Sequence, residues 1–176
     1  MSLEEREVNI EAELFQVNEQ LLSKITGSKV ELHVDIADDV HPYVMLDPTR
    51  LKQVFINLVG NAIKFTASGE IISSIELIKD SPESSQLKFS VSDSGIGIPQ
   101  DKLQSIFSAF SQADGSTTRK FGGTGLGLNI SQKLVSMMGG KIEVESAFGQ
   151  WTKFSFILDV NKYFPVNNTD KASEEF

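Results

Sequence analysis

Two asparagines one helical turn apart, Asn57 and Asn61, are the residues of this chain whose type and spacing first suggest chemistry. The helix predicted over 48–65 begins after Asp47, because an Asp can cap free backbone N–H groups and the following Pro fits the first helical position. At about 100° per residue, Asn57, Asn61 and Lys64 share one stripe of this helix, and apolar residues cover much of the rest. Amide oxygens and an ammonium suit a magnesium polyphosphate, whereas a solvated polar face is the alternative interpretation.

A carboxylate at the end of a predicted strand is the second feature that suggests chemistry. Asp93 follows the alternating segment 87–92, and Gly95 and Gly97 come directly after it. A buried carboxylate can accept a charge-assisted hydrogen bond from an exocyclic amine such as that of adenine. The two glycines would let the backbone approach a flat base without interference from a Cβ atom. An ordinary glycine turn after a strand is the alternative.

A glycine-rich segment precedes the helix predicted over 126–138 and supplies the third feature. Gly123, Gly125 and Gly127 can turn several backbone N–H groups toward an anion, at a helix N-terminus that favours negative charge. The spacing matches neither the dinucleotide-binding fingerprint nor the P-loop. The segment is therefore a candidate phosphate cradle, with a flexible hinge as the alternative.

Together and in this order, the three segments resemble the nucleotide-binding domain of sensor histidine kinases, within the GHKL superfamily, from about Val8 to Val160. The resemblance implies that the N box supplies the catalytic residues Asn57, Asn61 and Lys64, with Asn61 as the magnesium ligand. The residues that it implies for nucleotide binding are Asp93, Gly95, Gly97, Ile98, Phe110, Arg119, Lys120, Gly123, Thr124, Gly125, Leu126, Gly127 and Thr152.

Some positions connect the chain to one branch of the family or depart from its pattern. The segment 111–123 looks most like the hybrid type, in which a receiver domain follows the kinase. Many non-hybrid relatives carry an Arg where this chain has Gln112, so a side-chain cation would have to come from Arg119 or Lys120, unless these two form only a solvated basic pair. The last family motif usually reads Gly-x-Gly-Thr-x-Phe, and here Trp151 replaces its second glycine.

The resemblance implies that the chain binds ATP and Mg²⁺ and transfers the γ-phosphoryl group to a histidine on a separate dimerisation helix in two-component signalling. Only His33 and His41 occur, in a predicted strand and a predicted loop, so neither has the helical setting of an acceptor. The expected partners are the dimerisation and phosphoacceptor helix domain of a parent kinase, and a receiver domain or response regulator. The domain alone is expected to be monomeric.

Two alternatives remain open at this stage. The resemblance implies that ATPases of the superfamily carry a water-activating Glu where this chain has Asn57, and an amide cannot act as a general base at neutral pH. A GHKL-type ATPase is therefore disfavoured. A catalytically silent module that binds the nucleotide and serves in signalling is not excluded, because phosphoryl transfer depends on a partner that the sequence does not contain.

Composition restricts the partners further. The chain has 176 residues, of which 40% are hydrophobic, and a net charge of −8 that argues against nucleic acid or an anionic membrane as partner. It contains no cysteine, which fits a reducing compartment, and no apolar run of membrane-spanning length. We expect a cytoplasmic domain, which leaves open whether the parent protein is anchored in a membrane.

Periodicity predicts alternating helices and strands, and hence a two-layer α/β sandwich. The resemblance implies the Bergerat version, with a mixed, mostly antiparallel sheet covered by helices on one face. The catalytic domain is expected over 4–160 and a polar C-terminal linker over 161–176. Besides the helices 48–65 and 126–138, the predicted elements are a helix over 11–26, a short helix from Pro99 to about Phe107, a mobile lid over 109–123, and strands over 29–36, 43–46, 70–78, 87–92, 141–146 and 152–158.

Overall fold

The structure, a computed structural model, describes residues 2–103, 106 and 124–165. Within these ranges, helices and strands alternate along the chain. In chain order the elements are β1 (Arg6–Asn9), α1 (Ile10–Ile25), β2 (Lys29–Ile36), β3 (Tyr43–Leu46), α2 (Pro48–Phe65), β4 (Ser68–Asp80), β5 (Ser84–Asp93), a 3₁₀ turn (Gln100–Lys102), α3 (Thr124–Met137), β6 (Glu143–Ala147) and β7 (Trp151–Lys162).

The seven strands form one open, mixed sheet. Six of them follow the order β1-β3-β7-β5-β4-β2, and β6 pairs with the first part of β7. Only the pairing of β2 with β4 is parallel, and the other pairings in the described chain are antiparallel. The predicted fold class, a two-layer α/β sandwich with a mostly antiparallel sheet, is confirmed.

Three aromatic rings in mutual contact fix α2 against the centre of the sheet. Phe55 of α2 lies with its ring centroid 6.2 Å from that of Phe89 on β5 and 6.0 Å from that of Phe156 on β7. The rings of Phe89 and Phe156 stack at 5.2 Å, and all three side chains are buried. Truncating such a ring typically costs about 3–5 kcal/mol. This packing determines which way the opposite, polar stripe of α2 faces.

Asp47 caps α2, as predicted, and also ties the N-terminal segment to it. Its Oδ1 accepts from the backbone N–H of Arg50 (3.2 Å), and its Oδ2 accepts from the backbone N–H of Glu4 (2.8 Å) and from the Arg50 guanidinium. Burial raises the pKa of Asp47, but these hydrogen bonds and the Arg50 charge hold it below its ordinary value. The start of the helix that carries Asn57 and Asn61 is thus fixed by an ionised, buried carboxylate.

Several element boundaries differ from the prediction. The strand β1 was not predicted, because only one of its four residues is buried and no alternation marks it. Strands β4 and β5 are longer than predicted, so that the hairpin turn is confined to 81–83. The helix expected from Pro99 is a 3₁₀ turn ending at Lys102. The predicted lid over 109–123 lies outside the described residues.

The C-terminal end of the sheet extends past the predicted domain boundary between 160 and 161. Strand β7 continues to Lys162, whose ammonium contacts Asp80 (2.8 Å). The backbone N–H of Tyr163 then donates to the Tyr43 carbonyl (2.9 Å). Polar composition suggested a linker here, but pairing at the edge of a sheet requires backbone groups rather than apolar side chains. The remainder of the predicted linker, from 166, lies outside the described residues. Among the helices of the described chain, none has the length and apolar composition needed to span a membrane.

Candidate functional site

The polar stripe of α2 faces α3 rather than open solvent. Small residues of α3, Gly127 and Ser131, lie opposite Asn61 and Asn57, respectively. The two helices therefore run antiparallel, with the N-terminal end of α3 beside the C-terminal half of α2. This arrangement brings the predicted metal ligand and the start of the predicted phosphate-binding helix together, although Gly127 follows Asn61 by 66 positions in the sequence.

Asn61 carries a buried amide nitrogen that lacks a hydrogen-bond partner in the described structure. The residue is 9% exposed, and its Nδ2 lies 3.8 Å from the position that a Cβ atom on Gly127 would occupy. A buried, unpaired amide donor costs about 1–3 kcal/mol. A ligand with oxygen acceptors at the N-terminal end of α3 would satisfy this donor, and the adjacent carbonyl oxygen of the amide is a ligand that Mg²⁺ accepts.

Asn57, in contrast, is held at both ends of its amide. Its Oδ1 accepts from Gln53 Nε2 (3.1 Å), and its Nδ2 donates to the hydroxyl of Ser131 (3.3 Å), which is fully buried in α3. In this arrangement Asn57 connects the two helices, and its assignment as a catalytic residue stays a prediction. Ser131 was not identified from the sequence, because a serine within a helix gives no signal of its tertiary partner.

Asp93 ends β5 in the interior, flanked by the facing positions Ile71 on β4 and Thr152 on β7. The residue is 7% exposed, and its Oδ1 accepts from the backbone N–H of Gly95 (2.9 Å). Burial raises the pKa of this carboxyl, and the Gly95 N–H and the Thr66 hydroxyl oppose that rise. A buried carboxylate with few donors around it can be stabilised by the amine of a ligand.

The two glycines after Asp93 are required by contacts within the protein, which differs from the reason inferred from the sequence. A Cβ atom on Gly95 would lie 2.3 Å from the carbonyl oxygen of Phe65, at the end of α2. Gly97 has φ +71°, and a Cβ atom there would lie 2.4 Å from the carbonyl oxygen of Ala147. The segment is therefore packed tightly between α2 and the β6–β7 hairpin. The close approach to a base stays a prediction.

A serine hydroxyl connects two of the predicted nucleotide-binding segments. Ser146 Oγ accepts from the backbone N–H of Ile98 (2.7 Å) and donates to the Trp151 carbonyl (2.8 Å). Since this hydroxyl has a single hydrogen, the Thr152 hydroxyl, 2.8 Å away, donates to it. Ser146 thus fixes the backbone after Asp93 against β7. Trp151 lies just before the strand predicted over 152–158, but in the structure it begins β7 and pairs with Ala147.

The remaining predicted residues divide into two groups. Lys64 is exposed near the end of α2, and Thr124, Gly125 and Leu126 form the first turn of α3. The residues that lie outside the described part of the chain are Phe107, Phe110, Gln112, Arg119, Lys120 and Gly123.

The two histidines are placed as the sequence indicated, away from any helix. His33 is an exposed residue of β2 beside Glu31 (Nε2 to Oε2, 3.1 Å). His41 lies in a loop and its Nε2 donates to the Tyr163 carbonyl (2.8 Å).

The chain is similar in sequence to known histidine kinases. Hybrid signal transduction histidine kinase A of Dictyostelium discoideum is 39% identical over 169 residues, which cover 89% of this chain and 8% of that protein. Signal transduction histidine-protein kinase BarA of Escherichia coli K12 is 45% identical over 132 residues, which cover 75% of this chain and 14% of that protein. This chain thus spans a small part of the length of these relatives.

Solved structures of histidine kinases are also similar to this chain. Full-length ShkA in complex with AMPPNP superposes with a TM-score of 0.79 at 30% identity, over 94% of this chain and 33% of that chain. The nucleotide-free catalytic domain of histidine kinase ThkA superposes with a TM-score of 0.72 at 30% identity, over 89% of this chain and 95% of that chain. Residues 46–162 match the family described as histidine kinase-, DNA gyrase B-, and HSP90-like ATPase. The resemblance found in the sequence is therefore confirmed, and the chain belongs to this family as a histidine kinase-type ATP-binding domain.

Proposed function

We propose that this chain binds Mg-ATP and delivers the γ-phosphoryl group to a histidine on a separate dimerisation helix. The observation that carries the proposal is the buried, unpartnered amide of Asn61 facing Gly127 at the N-terminal end of α3. An oxygen-rich anion at this point would satisfy the amide and would meet the positive end of a helix dipole.

The adenine is proposed to lie at the other end of the site, against Asp93. Its carboxylate is buried at the end of β5, and one oxygen already accepts from the Gly95 N–H. The exocyclic amine of adenine would supply a further donor to the charged group. Guanine carries a carbonyl oxygen at the same position, which would face the carboxylate and be repelled, so the proposal includes a preference for ATP over GTP.

The phosphates are proposed to bind between α2 and the start of α3. Asn61 would hold the Mg²⁺, which supplies neutralisation of the phosphate charge when bound. Lys64 would place its ammonium, and the first turn of α3 its backbone N–H groups, near the same oxygens. The proposed nucleotide-binding segment 123–127 and the basic residues Arg119 and Lys120 would complete the enclosure of the phosphates.

Hydrolysis is not the proposed reaction, because the position suited to a water-activating base carries an amide. Asn57 cannot remove a proton from water at neutral pH, and its amide is bonded to Gln53 and Ser131. A neutral imidazole is already a nucleophile and needs no such base. The chemistry left to this chain is therefore to position the nucleotide and to neutralise its charge.

The partners proposed for this activity are a dimerisation and phosphoacceptor helix domain and a receiver domain or response regulator. The relatives include proteins named as hybrid signal transduction histidine kinases, which supports this arrangement. We propose that the catalytic domain, predicted over 4–160, works on the cytoplasmic side, and that the polar segment after the end of the sheet is a linker.

A chimaera tests the proposal. Residues 4–165 of this chain would replace the matching segment of hybrid histidine kinase A of Dictyostelium discoideum, and transfer from γ-labelled ATP would be measured as acid-labile histidine phosphate. We expect labelling in the chimaera and its loss in the Asn61→Ala version. The unmodified kinase serves as the positive control. Nucleotide binding without labelling, in a folded chimaera, would support a silent signalling module instead, and rapid release of phosphate would support an ATPase.

A further inference from the structure

We propose that Thr66 is a second residue that reads the adenine, by donating a hydrogen bond from its hydroxyl to the ring nitrogen N1, next to the amine bound by Asp93. This inference rests on the proposed function, because it concerns the same nucleotide site. It assigns a role to a residue that lies outside the candidate set derived from the sequence.

The hydroxyl of Thr66 is buried without a protein partner. Thr66 follows the last residue of α2, is 4% exposed, and its Oγ1 has no hydrogen-bond partner in the described structure. Leaving a buried hydroxyl unpaired is unfavourable, so native structures rarely retain one without a reason. A ligand atom that accepts a hydrogen bond at this point would remove the penalty.

The position of this hydroxyl relates it to Asp93. The point where a Cβ atom on Gly95 would sit lies 2.8 Å from Thr66 Oγ1 and 2.8 Å from Asp93 Oδ1. The hydroxyl and the carboxylate therefore lie next to the same glycine, at the end of α2 and the end of β5. The hydroxyl lies near enough to the carboxylate to oppose the rise that burial causes in the pKa of Asp93, although the two groups do not have the geometry of a hydrogen bond.

A second threonine lies close by, but its hydroxyl is already used. Thr152 faces Asp93 across the β5–β7 ladder, and its Oγ1 lies 2.8 Å from Ser146 Oγ. Ser146 in turn holds the Ile98 N–H. Of these two buried threonines, only Thr66 has a hydroxyl that makes no hydrogen bond in the described structure.

The pair of groups matches one edge of adenine. That edge presents a donor, the exocyclic amine, beside an acceptor, N1. A carboxylate that accepts and a hydroxyl that donates are complementary to this order. Guanine presents an acceptor followed by a donor on the same edge. The carboxylate therefore discriminates between adenine and guanine, and the hydroxyl adds affinity for adenine.

Isosteric substitution combined with an altered base tests the inference. Thr66→Val keeps the side-chain volume and removes the hydroxyl, and 1-deaza-ATP replaces N1 with a carbon. We expect calorimetry with Mg²⁺ to show about tenfold weaker binding of ATP to Thr66→Val. We expect wild type to bind 1-deaza-ATP about tenfold more weakly than ATP, and Thr66→Val to bind the two nucleotides equally. Thr66→Ser should restore the preference for ATP.

Thr26→Val is the matched control, because Thr26 follows α1 as Thr66 follows α2, and its hydroxyl is bonded to the Leu22 carbonyl at the surface (3.0 Å). It should bind both nucleotides as wild type does. Equal ATP affinity of wild type and Thr66→Val, or an equal loss for both nucleotides, would overturn the role of Thr66 while leaving the proposed function standing. Wild type that fails to bind ATP would overturn the proposed function itself.

Discussion

Replacing Asp93 with asparagine is expected to weaken ATP binding while leaving the fold at least as stable as that of wild type. The substitution keeps the shape of the side chain, and an asparagine oxygen can still accept from the Gly95 N–H, which lies 2.9 Å from Asp93 Oδ1. What changes is the second oxygen, which becomes an NH₂ group. This donor would face the donor of the adenine amine.

The magnitude follows from the burial of the group. Asp93 is 7% exposed, so a hydrogen bond that it makes with a ligand is shielded from water. A hydrogen bond to a charged, buried acceptor is worth about 1.5–3 kcal/mol, and about 2 kcal/mol corresponds to roughly 30-fold in the dissociation constant. We expect a loss of that order for ATP in isothermal titration calorimetry. The affinity of wild type for GTP should be low, because the guanine carbonyl would face the carboxylate.

Asp93→Asn is expected to weaken ATP binding but not to weaken the fold. Because burial raises the pKa of Asp93, the folded protein binds this proton more tightly than the unfolded chain does. The ionised carboxylate therefore lowers the free energy of unfolding at neutral pH, and this cost falls as the pH drops through the raised pKa. Asp93→Asn removes this cost, so its thermal midpoint should equal or exceed that of wild type at pH 7. In acid the two midpoints should become similar, because the wild-type carboxyl is then protonated. A folded variant with unchanged ATP affinity would refute the assignment of Asp93.

Further outcomes are expected for other parts of the chain. Gly97→Ala should destabilise the fold by more than about 3 kcal/mol in urea unfolding, because it adds a clash with the Ala147 carbonyl to the cost of a positive φ. Gly149→Ala is its control, since it also has a positive φ but meets nothing within 4 Å, and should cost only about 1–2 kcal/mol; equal losses would contradict the packing. Asp47→Ala should cost about 3 kcal/mol through the lost cap and the partly buried Arg50 left without its partner, and the stability that Asp47 confers should be lost as the pH falls through its lowered pKa; an unchanged midpoint would contradict this role. The chain alone should hydrolyse ATP very slowly and take no label on His33 or His41, and labelling of either histidine would contradict the proposed need for a separate acceptor.

The elements that the sequence predicted best are those in which local chemistry and packing agree. Helix α2 begins and ends where predicted, because the Asp47 cap, the following Pro and a continuous apolar face all specify it. Strands β2 and β3 also match the predicted ranges. Strand β1 gave no signal, since its pairing with β3 needs only backbone groups. The parallel pairing of β2 with β4 likewise depends on the tertiary arrangement, and no local sequence pattern indicates it.

The candidate site was predictable in its carboxylate, amide and glycine positions and in Thr124 and Thr152, but not in its other hydroxyls. Asp93 stands out because it ends a predicted strand directly before two glycines, and Asn61 because it shares a polar stripe with Asn57 on an otherwise apolar helix. Ser131, Ser146 and Thr66 were missed, because Ser and Thr are common in every setting and their roles depend on what lies opposite in space. The reason for the glycines after Asp93 also needed coordinates, since the contacting carbonyls come from α2 and from the β6–β7 hairpin.

A crystal structure of this chain with Mg-AMPPNP would test the central claim most directly. We expect the adenine amine within hydrogen-bonding distance of the Asp93 carboxylate, and the triphosphate beside Asn61 at the N-terminal end of α3. Adenine bound away from Asp93, or phosphates that leave the Asn61 amide unpaired, would contradict it.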